Sequence, residues 1–424
     1  MKRIMFPYGK EKVSYEFEED MLSAVLTSGL GEYKPDKTQE QLVADAMNTP
    51  IGSVSLKEMA KDKNNIVIIA SDHTRPVPSK LIIPPMLRQI REGNPDANIT
   101  ILIATGCHRG TTKEELVSKF GAEIVENENI YVHDCDEREK LVNIGTLPSG
   151  GDCEINSIAM NADLLVAEGF IEPHFFAGFS GARKSVLPGV AGRTTVLANH
   201  CSEFIDSPYA RTGILEGNPI HADMLWAARK AKLAYIVNVV LNEEKEVIYA
   251  VAGAPEQAHG EGVRFLSSLC GVKAVPADVV ITTNGGYPLD QNVYQAVKGM
   301  TAAEATVKKD GVIIMMAKSN DGIGGDHFYH QLADEPDIYK TMEVFRSRDR
   351  NETVPDQWQT QILLRVLMRA RVIYISDMDD EIVEKMHMTP AHSIGEALAL
   401  AEEMLGKKPK IVAIPDGVSV IVKA

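Results

Sequence analysis

Four short stretches of the chain bring histidine, acidic and basic side chains close enough together to do chemistry. They are residues 71–78, 105–110, 168–189 and 287–299. In the first, Asp72-His73-Thr74-Arg75 precedes two prolines, which keep the residues before them out of the α-helical conformation. The guanidinium of Arg75 can hold a carboxylate or a phosphate through two parallel hydrogen bonds. An exposed turn with an internal Asp–Arg pair is the alternative interpretation.

Two histidines could transfer a proton or bind a metal. His108 lies in the second stretch, and an imidazole suits proton transfer because its unperturbed pKa is near neutrality. A helix start held by hydrogen bonds is the alternative there. His200 is followed by Cys201, and its imidazole could bind nickel, copper, iron or zinc. No second histidine stands at helical spacing, so the sequence favours an ordinary core histidine unless a cofactor supplies the other donor atoms.

The third stretch combines four glycines, four phenylalanines and the triplet Arg183-Lys184-Ser185. The spacing of Gly178 and Gly181 before Lys184-Ser185 is similar to a phosphate-binding loop. It departs from that pattern because arginine precedes the lysine and the glycine spacing differs. A lysine among phenylalanines would have a lowered pKa, which suits covalent attachment to an electrophilic carbonyl-type carbon. A basic loop tip that closes a cleft is the alternative.

The fourth stretch predicts the beginning of a helix. Asn292 could serve as its N-cap, and Tyr294 and Lys298 would share one face at i and i+4. Lys298 could then meet a substrate carboxylate, while an exposed, solvated lysine is the equally open alternative.

Short apolar, β-branched runs alternate with amphipathic stretches, which is typical of βαβ units around a parallel sheet. We predict strands at residues 65–70, 99–104, 162–167, 235–241, 277–281, 311–316, 371–376 and 410–415. Ligands of open α/β sheets bind beyond the carboxyl ends of the strands. Polar loops beginning at Ser71, Thr105, Glu168 and Thr282 follow four of these strands and predict a cleft between two domains.

The length of 424 residues also favours two domains, because one hydrophobic core seldom grows so large. We expect an α/β fold in which each domain is a mostly parallel sheet flanked by helices. The cofactor-binding catalytic domain is placed at residues 1–272 and the substrate-binding domain at 276–405. A return of residues 408–424 to the first domain is left open. The active site is expected in the cleft between the domains.

Composition and charge exclude several classes of protein. The net charge of −15 disfavours a nucleic-acid partner, which would require clustered lysine and arginine. The five cysteines are odd in number and form no CxxC, which argues against a disulfide framework and a structural zinc site. The first residues lack the apolar core of a secretory signal, and no run reaches the roughly 18 apolar residues of a membrane span. We therefore expect a cytoplasmic protein.

Taken together, these segments resemble those of the lactate racemase family. The similarity lies in residues 71–78, 172–189, 199–200 and 285–305, and it extends through essentially the whole chain. Pro173 and Ala182 depart from the family pattern, which has serine and glycine there. Neither departure removes a functional side chain.

The resemblance implies a nickel-pincer cofactor, a pyridinium mononucleotide whose thioamide, thiocarboxylate and one ring carbon hold nickel. It implies that Lys184 forms the covalent thioamide link and that His200 completes the coordination of nickel. It implies that His108 and His174 exchange the proton of the substrate hydroxyl group. The implied cofactor contacts are Asp72, His73, Thr74 and Arg75. The implied substrate contacts are Arg75, Gln295 and Lys298.

The implied reaction is interconversion of D- and L-lactate by proton-coupled hydride transfer, which avoids building a carbanion beside the carboxylate. The proteins that build the cofactor are implied partners. A racemase or epimerase of another 2-hydroxyacid is an alternative, decided by residues at the substrate end of the site, Tyr294 and Trp358 among them. The second alternative is an NAD-dependent dehydrogenase. It is less well supported because no GxGxxG motif follows an early strand. A non-catalytic nucleotide-binding carrier is the third alternative.

Overall fold

The computed structural model describes residues 1–423 and shows strands and helices in regular alternation. The strands are β1 Lys2–Tyr8, β2 Glu11–Phe17, β3 Leu22–Val25, β4 Asn65–Ser71, β5 Asn98–Ala104, β6 Asn129–Val132, β7 Leu141–Thr146, β8 Asp152–Asn156, β9 Leu164–Phe170, β10 Pro173–His174, β11 Gly178–Phe179, β12 Leu233–Leu241, β13 Val247–Gly253, β14 Gly271–Lys273, β15 Ala277–Thr283, β16 Val307–Met316, β17 Arg371–Ile375, β18 Thr389–Ala391, β19 Ile411–Ile414 and β20 Ile421–Lys423.

The helices are α1 Gln39–Asn48, α2 Leu56–Met59, α3 Ser79–Gly93, α4 Lys113–Phe120, α5 Ala122–Asn127, α6 Ser157–Met160, α7 Arg193–Asn199, α8 Ser202–Asp206, α9 Pro219–Lys230, α10 Pro255–Cys270, α11 Val293–Glu304, α12 Asp326–Ala333, α13 Ile338–Ser347, α14 Gln357–Arg369, α15 Asp380–Lys385 and α16 Ile394–Leu405. Short 3₁₀ helices lie at Arg138–Lys140, Ala182–Ser185 and Arg350–Glu352. None of the helices within residues 1–423 is both long and apolar enough to cross a membrane.

The first sheet has six strands in the order β13-β12-β9-β4-β5-β6, and all of its neighbours are parallel except the β12–β13 pair. Its central strands are continuous apolar runs because helices cover both faces. The chain winds from β4 outward to β6 and then returns to the other side of β4 with β9. Such a reversal creates a crevice at the carboxyl ends of β4 and β9, where ligands of doubly wound sheets bind.

The second sheet is parallel throughout, in the order β18-β17-β16-β15-β19-β3. Its core also contains Phe6 and Phe17 of the β1–β2 hairpin, which pack with apolar residues of β15, β16 and β19. The expectation of two α/β units with mostly parallel sheets is therefore confirmed.

Two segments at the ends of the chain join the second sheet. β3 is its edge strand, and β19 lies between β15 and β3. Residues 411–414 therefore do not return to the first sheet, which was the possibility left open. A continuous apolar run of four residues cannot tell one parallel sheet from another, because the central strands of both sheets are equally buried.

The predicted strands lie within a few residues of the observed ones. Thr112 and Glu115 form a capping box, and α4 begins at Lys113. Asn292 caps α11 as predicted, since its side chain accepts from the N–H of Gln295. These caps matter for function because they fix where the helices beside the crevice begin.

Candidate active site

A cavity of about 470 Å³ lies at the crevice of the first sheet, with α11 and the start of α14 forming its opposite wall. The predicted site residues that line it are Asp72, Arg75, His108, His174, Lys184, His200, Tyr294, Gln295, Lys298 and Trp358. Residues from both halves of the chain thus converge on one space.

Asp72 and His108 form a hydrogen-bonded pair at the ends of β4 and β5. Asp72 is 1% exposed, and its Oδ2 lies 2.8 Å from His108 Nδ1. Its Oδ1 accepts from the hydroxyl of Thr74 at 2.7 Å. Burial opposes ionisation of Asp72, but the hydrogen bond and charge of His108, together with the charge of Arg75, outweigh burial and lower the pKa of the carboxyl. With Nδ1 donating to a carboxylate, the neutral imidazole keeps its lone pair on Nε2, where it can accept a proton.

His73 and Thr74 do not line the cavity. His73 points to the start of α4, with Nδ1 3.1 Å from the hydroxyl of Thr111 and 3.8 Å from Glu115 Oε2. Thr74 acts through Asp72, and its hydroxyl is also 3.4 Å from His108 Nδ1. Being adjacent in sequence to Asp72 therefore does not bring these two side chains into the site, because successive residues after a strand point in different directions.

His174 and Lys184 face each other across the same loop, with Nε2 and Nζ 3.2 Å apart. The backbone N–H of Ala177 donates to His174 Nδ1 at 3.2 Å. A neutral imidazole that accepts at Nδ1 carries its proton on Nε2, so Lys184 must present a lone pair to it. Burial, followed by the charge of Lys184, lowers the pKa of His174 well below its usual value. Burial, followed by the charge of Arg183, lowers the pKa of Lys184 in the same way.

Arg183 holds the loop that carries these two side chains. It is 2% exposed and donates to the carbonyl oxygens of Ala177 and Phe179 at 2.9 and 2.8 Å. It also donates to the carbonyls of Ser180 and Gly181, and its Nε donates to His221 Nδ1 at 2.8 Å. Residues 182–185 form a single 3₁₀ turn rather than the long helix of a phosphate-binding loop. The segment is therefore a lysine-presenting loop.

Ala182, one of the two departures from the family pattern, has a left-handed backbone with φ of 45°. Its N–H donates to the side chain of Asn238 at 2.9 Å, which holds it there. Glycine adopts this conformation without strain, and this accounts for the glycine in the family pattern.

His200 directly follows α7 and is 5% exposed. Its ring lies 5.1 Å from the rings of both Phe176 and Trp358. Burial, followed by the charge of Lys184, lowers the pKa of His200 to about 3, so the imidazole is neutral at physiological pH. Its Nδ1 is buried with no hydrogen-bond partner anywhere in residues 1–423. A neutral imidazole with an unused nitrogen in a polar cavity is suited to coordinate a metal.

Lys298 projects from α11 and brings a positive charge to the wall opposite the first sheet. Burial, followed by the charge of Arg75, lowers the pKa of Lys298 to about 8. Its Nζ lies 5.9 Å from the ring centroid of Phe175. Arg75 and Lys298 thus place two cations in one cavity, an arrangement that binds a carboxylate.

The sequence did not single out two acidic residues of the cavity, Glu168 and Asp356. Glu168 was assigned to a loop but lies inside β9, 1% exposed, where Oε1 accepts from Ser71 and Ser79. A charge inside an apolar strand was the available signal. Asp356 precedes α14 in a segment with no recognisable motif, so the sequence held no signal for it.

The loop after β15 does not join this cavity. Gly285 and Tyr287 border a separate cavity of about 610 Å³, together with Asp416 after β19. That larger space lies at the reversal of the second sheet and contains none of the converging histidines. The second half of the chain contributes to the candidate site through α11 and the start of α14. The prediction had placed the loop that begins at Thr282 there.

Two known families together match most of the chain. The family described as "Lactate racemase N-terminal domain" matches residues 8–213, and the family described as "Lactate racemase C-terminal domain" matches residues 272–422. The chain is 54% identical to a lactate racemase of Thermoanaerobacterium thermosaccharolyticum and 51% identical to one of Lactiplantibacillus plantarum, with full coverage of both chains in each case.

Solved structures give the same result. The lactate racemase apoprotein of Thermoanaerobacterium thermosaccharolyticum superimposes with a TM-score of 0.97 at 53% identity, covering 100% of both chains. A Thermotoga maritima protein matches with a TM-score of 0.66 at 18% identity, over 92% of this chain and 100% of its own. At that identity the second match concerns the fold alone.

Proposed function

The chain belongs to the lactate racemase family, and we propose that it interconverts D- and L-lactate with a nickel-pincer pyridinium nucleotide attached to Lys184. As a full-length relative of lactate racemases at more than half identity, it is an isomerase of the racemase type. Its lactate substrate, its cofactor and the assignment of roles to residues are parts of the proposal.

The residues present fit such a cofactor. Lys184 is held as a free amine, the nucleophilic form required for covalent attachment. His200 offers a neutral imidazole with an unused buried nitrogen, the single protein donor needed when the other metal ligands come from the cofactor. Asp72 and Arg75 lie at the crevice of the first sheet, where a nucleotide would bind. The bound cofactor would accept a hydride from carbon 2 of the substrate and return it.

The two histidines manage the hydroxyl proton. Loss of hydride from carbon 2 and of a proton from the hydroxyl group converts a 2-hydroxyacid into a 2-oxoacid. His108 accepts that proton on Nε2, and the Asp72 carboxylate stabilises the resulting imidazolium. His174 provides the second proton site, from another element of the fold. Two histidines on different elements would each serve one enantiomer of the substrate.

Substrate orientation falls to the cations opposite the histidines. Arg75 and Lys298 bind the carboxylate, and Gln295 on the same helix adds a polar contact. Binding of the carboxylate fixes which face of carbon 2 points to the cofactor. The 2-oxoacid stays bound through this carboxylate while it turns its other face to the cofactor. The observation that carries the proposal is the convergence of His108, His174, Lys184 and His200 on one cavity.

The experiment uses protein produced together with cofactor-building proteins, which we infer as partners because one chain would not assemble such a group on itself. The purified protein is incubated with pure L-lactate without NAD, and the products are separated by chiral chromatography. We expect D-lactate to appear until both enantiomers are equal. Nickel analysis and peptide mass mapping should find one nickel and an adduct at Lys184.

Other outcomes separate the alternatives. Consumption of lactate only when NAD is added would indicate a dehydrogenase. Racemisation of a different 2-hydroxyacid in preference to lactate would change the substrate but keep the chemistry. No turnover of any 2-hydroxyacid by nickel-loaded protein would indicate a carrier. Fully active protein with neither nickel nor an adduct at Lys184 would overturn the cofactor assignment.

A further inference from the structure

Asp356 has a backbone conformation that its local sequence does not explain. Its φ of 63° lies in the left-handed region, which few residues other than glycine, asparagine and aspartate adopt. It occupies the N-cap position of α14, where an aspartate ordinarily accepts hydrogen bonds from the first turn, yet its side chain makes none there. An aspartate that forgoes its usual capping role is a reason to examine what its side chain does instead.

Asp356 borders the active-site cavity. The residue lines that cavity beside Trp358, and it lies close to Tyr294, whose pKa is raised by burial and then by the charge of Asp356. A Cβ added at Gly325 would lie 3.3 Å from Oδ2, so the carboxylate is packed against that glycine. Among the described residues that line the cavity from the second half of the chain, Asp356 contributes the one negative charge.

The spacing along α11 relates Asp356 to the substrate. Tyr294 and Lys298 stand one helical turn apart on the same face, roughly 5–6 Å between Cβ atoms. Asp356 lies close to Tyr294 in the same cavity, so a substrate side chain that points from Lys298 toward Tyr294 would approach the Asp356 carboxylate. The two carboxylates of a four-carbon diacid are joined by three carbon–carbon bonds of about 1.5 Å each, a comparable span.

We propose that Asp356 is a specificity-determining residue that restricts the site to 2-hydroxyacids with a single carboxylate. The cations Arg75 and Lys298 would by themselves favour a doubly charged anion over a singly charged one. A carboxylate at the far end of the cavity repels a second negative charge at short range, where solvent screens it poorly. Small apolar side chains such as the methyl group of lactate meet no such repulsion.

The inference rests on the proposed racemase function and is tested with the cofactor-loaded enzyme. Asp356→Asn keeps the shape of the side chain and tolerates the left-handed backbone, but it removes the charge. The kcat/KM values for lactate and for malate, a four-carbon 2-hydroxy diacid, are measured for wild type and variant. We expect the ratio of malate to lactate activity to rise about tenfold or more in Asp356→Asn.

Asp310→Asn is the matched control, because Asp310 is also left-handed, with φ of 60°, but lies exposed after the start of β16. Its ratio should equal that of wild type. Should Asp356→Asn fold poorly, Asp356→Gly provides the same loss of charge in a residue suited to this backbone. A ratio within twofold of wild type in the folded variant, or equal use of malate and lactate by wild type, would overturn the inference. A wild-type enzyme inactive on both substrates would instead count against the proposed function.

Discussion

At the scale of single residues, Lys298 is the cation whose charge the site can lose near physiological pH. Its pKa is lowered to about 8 by burial and then by Arg75, so it is protonated below that pH and neutral above it. Only the protonated form attracts the substrate carboxylate. We therefore expect kcat/KM for lactate to fall as pH rises through about 8, approaching tenfold per pH unit, measured over roughly pH 6.5 to 9.5.

Lys298→Arg is the control for this pH dependence, because a guanidinium stays charged over the whole range. The variant should lose the decline near pH 8, even if its absolute activity is lower. A wild-type profile that is flat to pH 9.5, or a decline that persists unchanged in Lys298→Arg, would remove Lys298 from the role of titrating carboxylate ligand.

The sequence indicated which residue types meet in the site, but not their protonation states. The sequence does not distinguish His108 from His174. In the structure, the Nδ1–H of His108 donates to the Asp72 carboxylate, whereas Nδ1 of His174 accepts a hydrogen bond from the N–H of Ala177. The difference in hydrogen bonding comes from neighbouring groups that only the folded chain brings together. One is Asp72, which is distant in sequence, and the other is the N–H of Ala177, which the loop geometry places there. For the same reason the motif containing His73 did not reveal that this side chain turns toward α4.

At the scale of elements, the loop from Ala177 to Lys184 depends on one buried guanidinium. Arg183→Met would leave several backbone carbonyls without their donor, and each unsatisfied buried group costs about 1–3 kcal/mol. We expect the free energy of unfolding to fall by at least about 3 kcal/mol, measured by denaturant titration. Arg229→Met is the comparison, because Arg229 is an exposed partner of Glu256 and its loss should cost at most about 1 kcal/mol.

A small stability loss in Arg183→Met, similar to that of Arg229→Met, would mean that the loop finds other donors or water. The sequence predicted that this glycine- and phenylalanine-rich stretch presents a lysine. It could not predict the means, because an arginine bound to carbonyl oxygens has no spacing rule of its own. The cap of α11 and the buried strands, whose causes are local, were predicted to within a few residues.

At the scale of the whole molecule, the order of units along the chain is not their order in space. The N-terminal hairpin packs on the second sheet and β3 is an edge strand of it, although the rest of the first 270 residues builds around the first sheet. A boundary inferred from local pattern assumes that each domain is continuous in sequence. The second sheet instead includes packing from the N-terminal hairpin, because Phe6 and Phe17 are buried against apolar residues of β15, β16 and β19.

This arrangement predicts where damage to the hairpin is felt. Phe6 is fully buried, so Phe6→Ala should cost about 3–5 kcal/mol through lost burial and the cavity left behind. Hydrogen exchange should accelerate in β15 and β19 while β4 and β9 stay protected. Val13→Ala, at the exposed cross-strand neighbour of Phe6, should cost under about 1 kcal/mol and leave both sheets protected. Equal loss of protection in both sheets after Phe6→Ala would show instead that they unfold as one cooperative unit, with the hairpin stabilising the molecule as a whole.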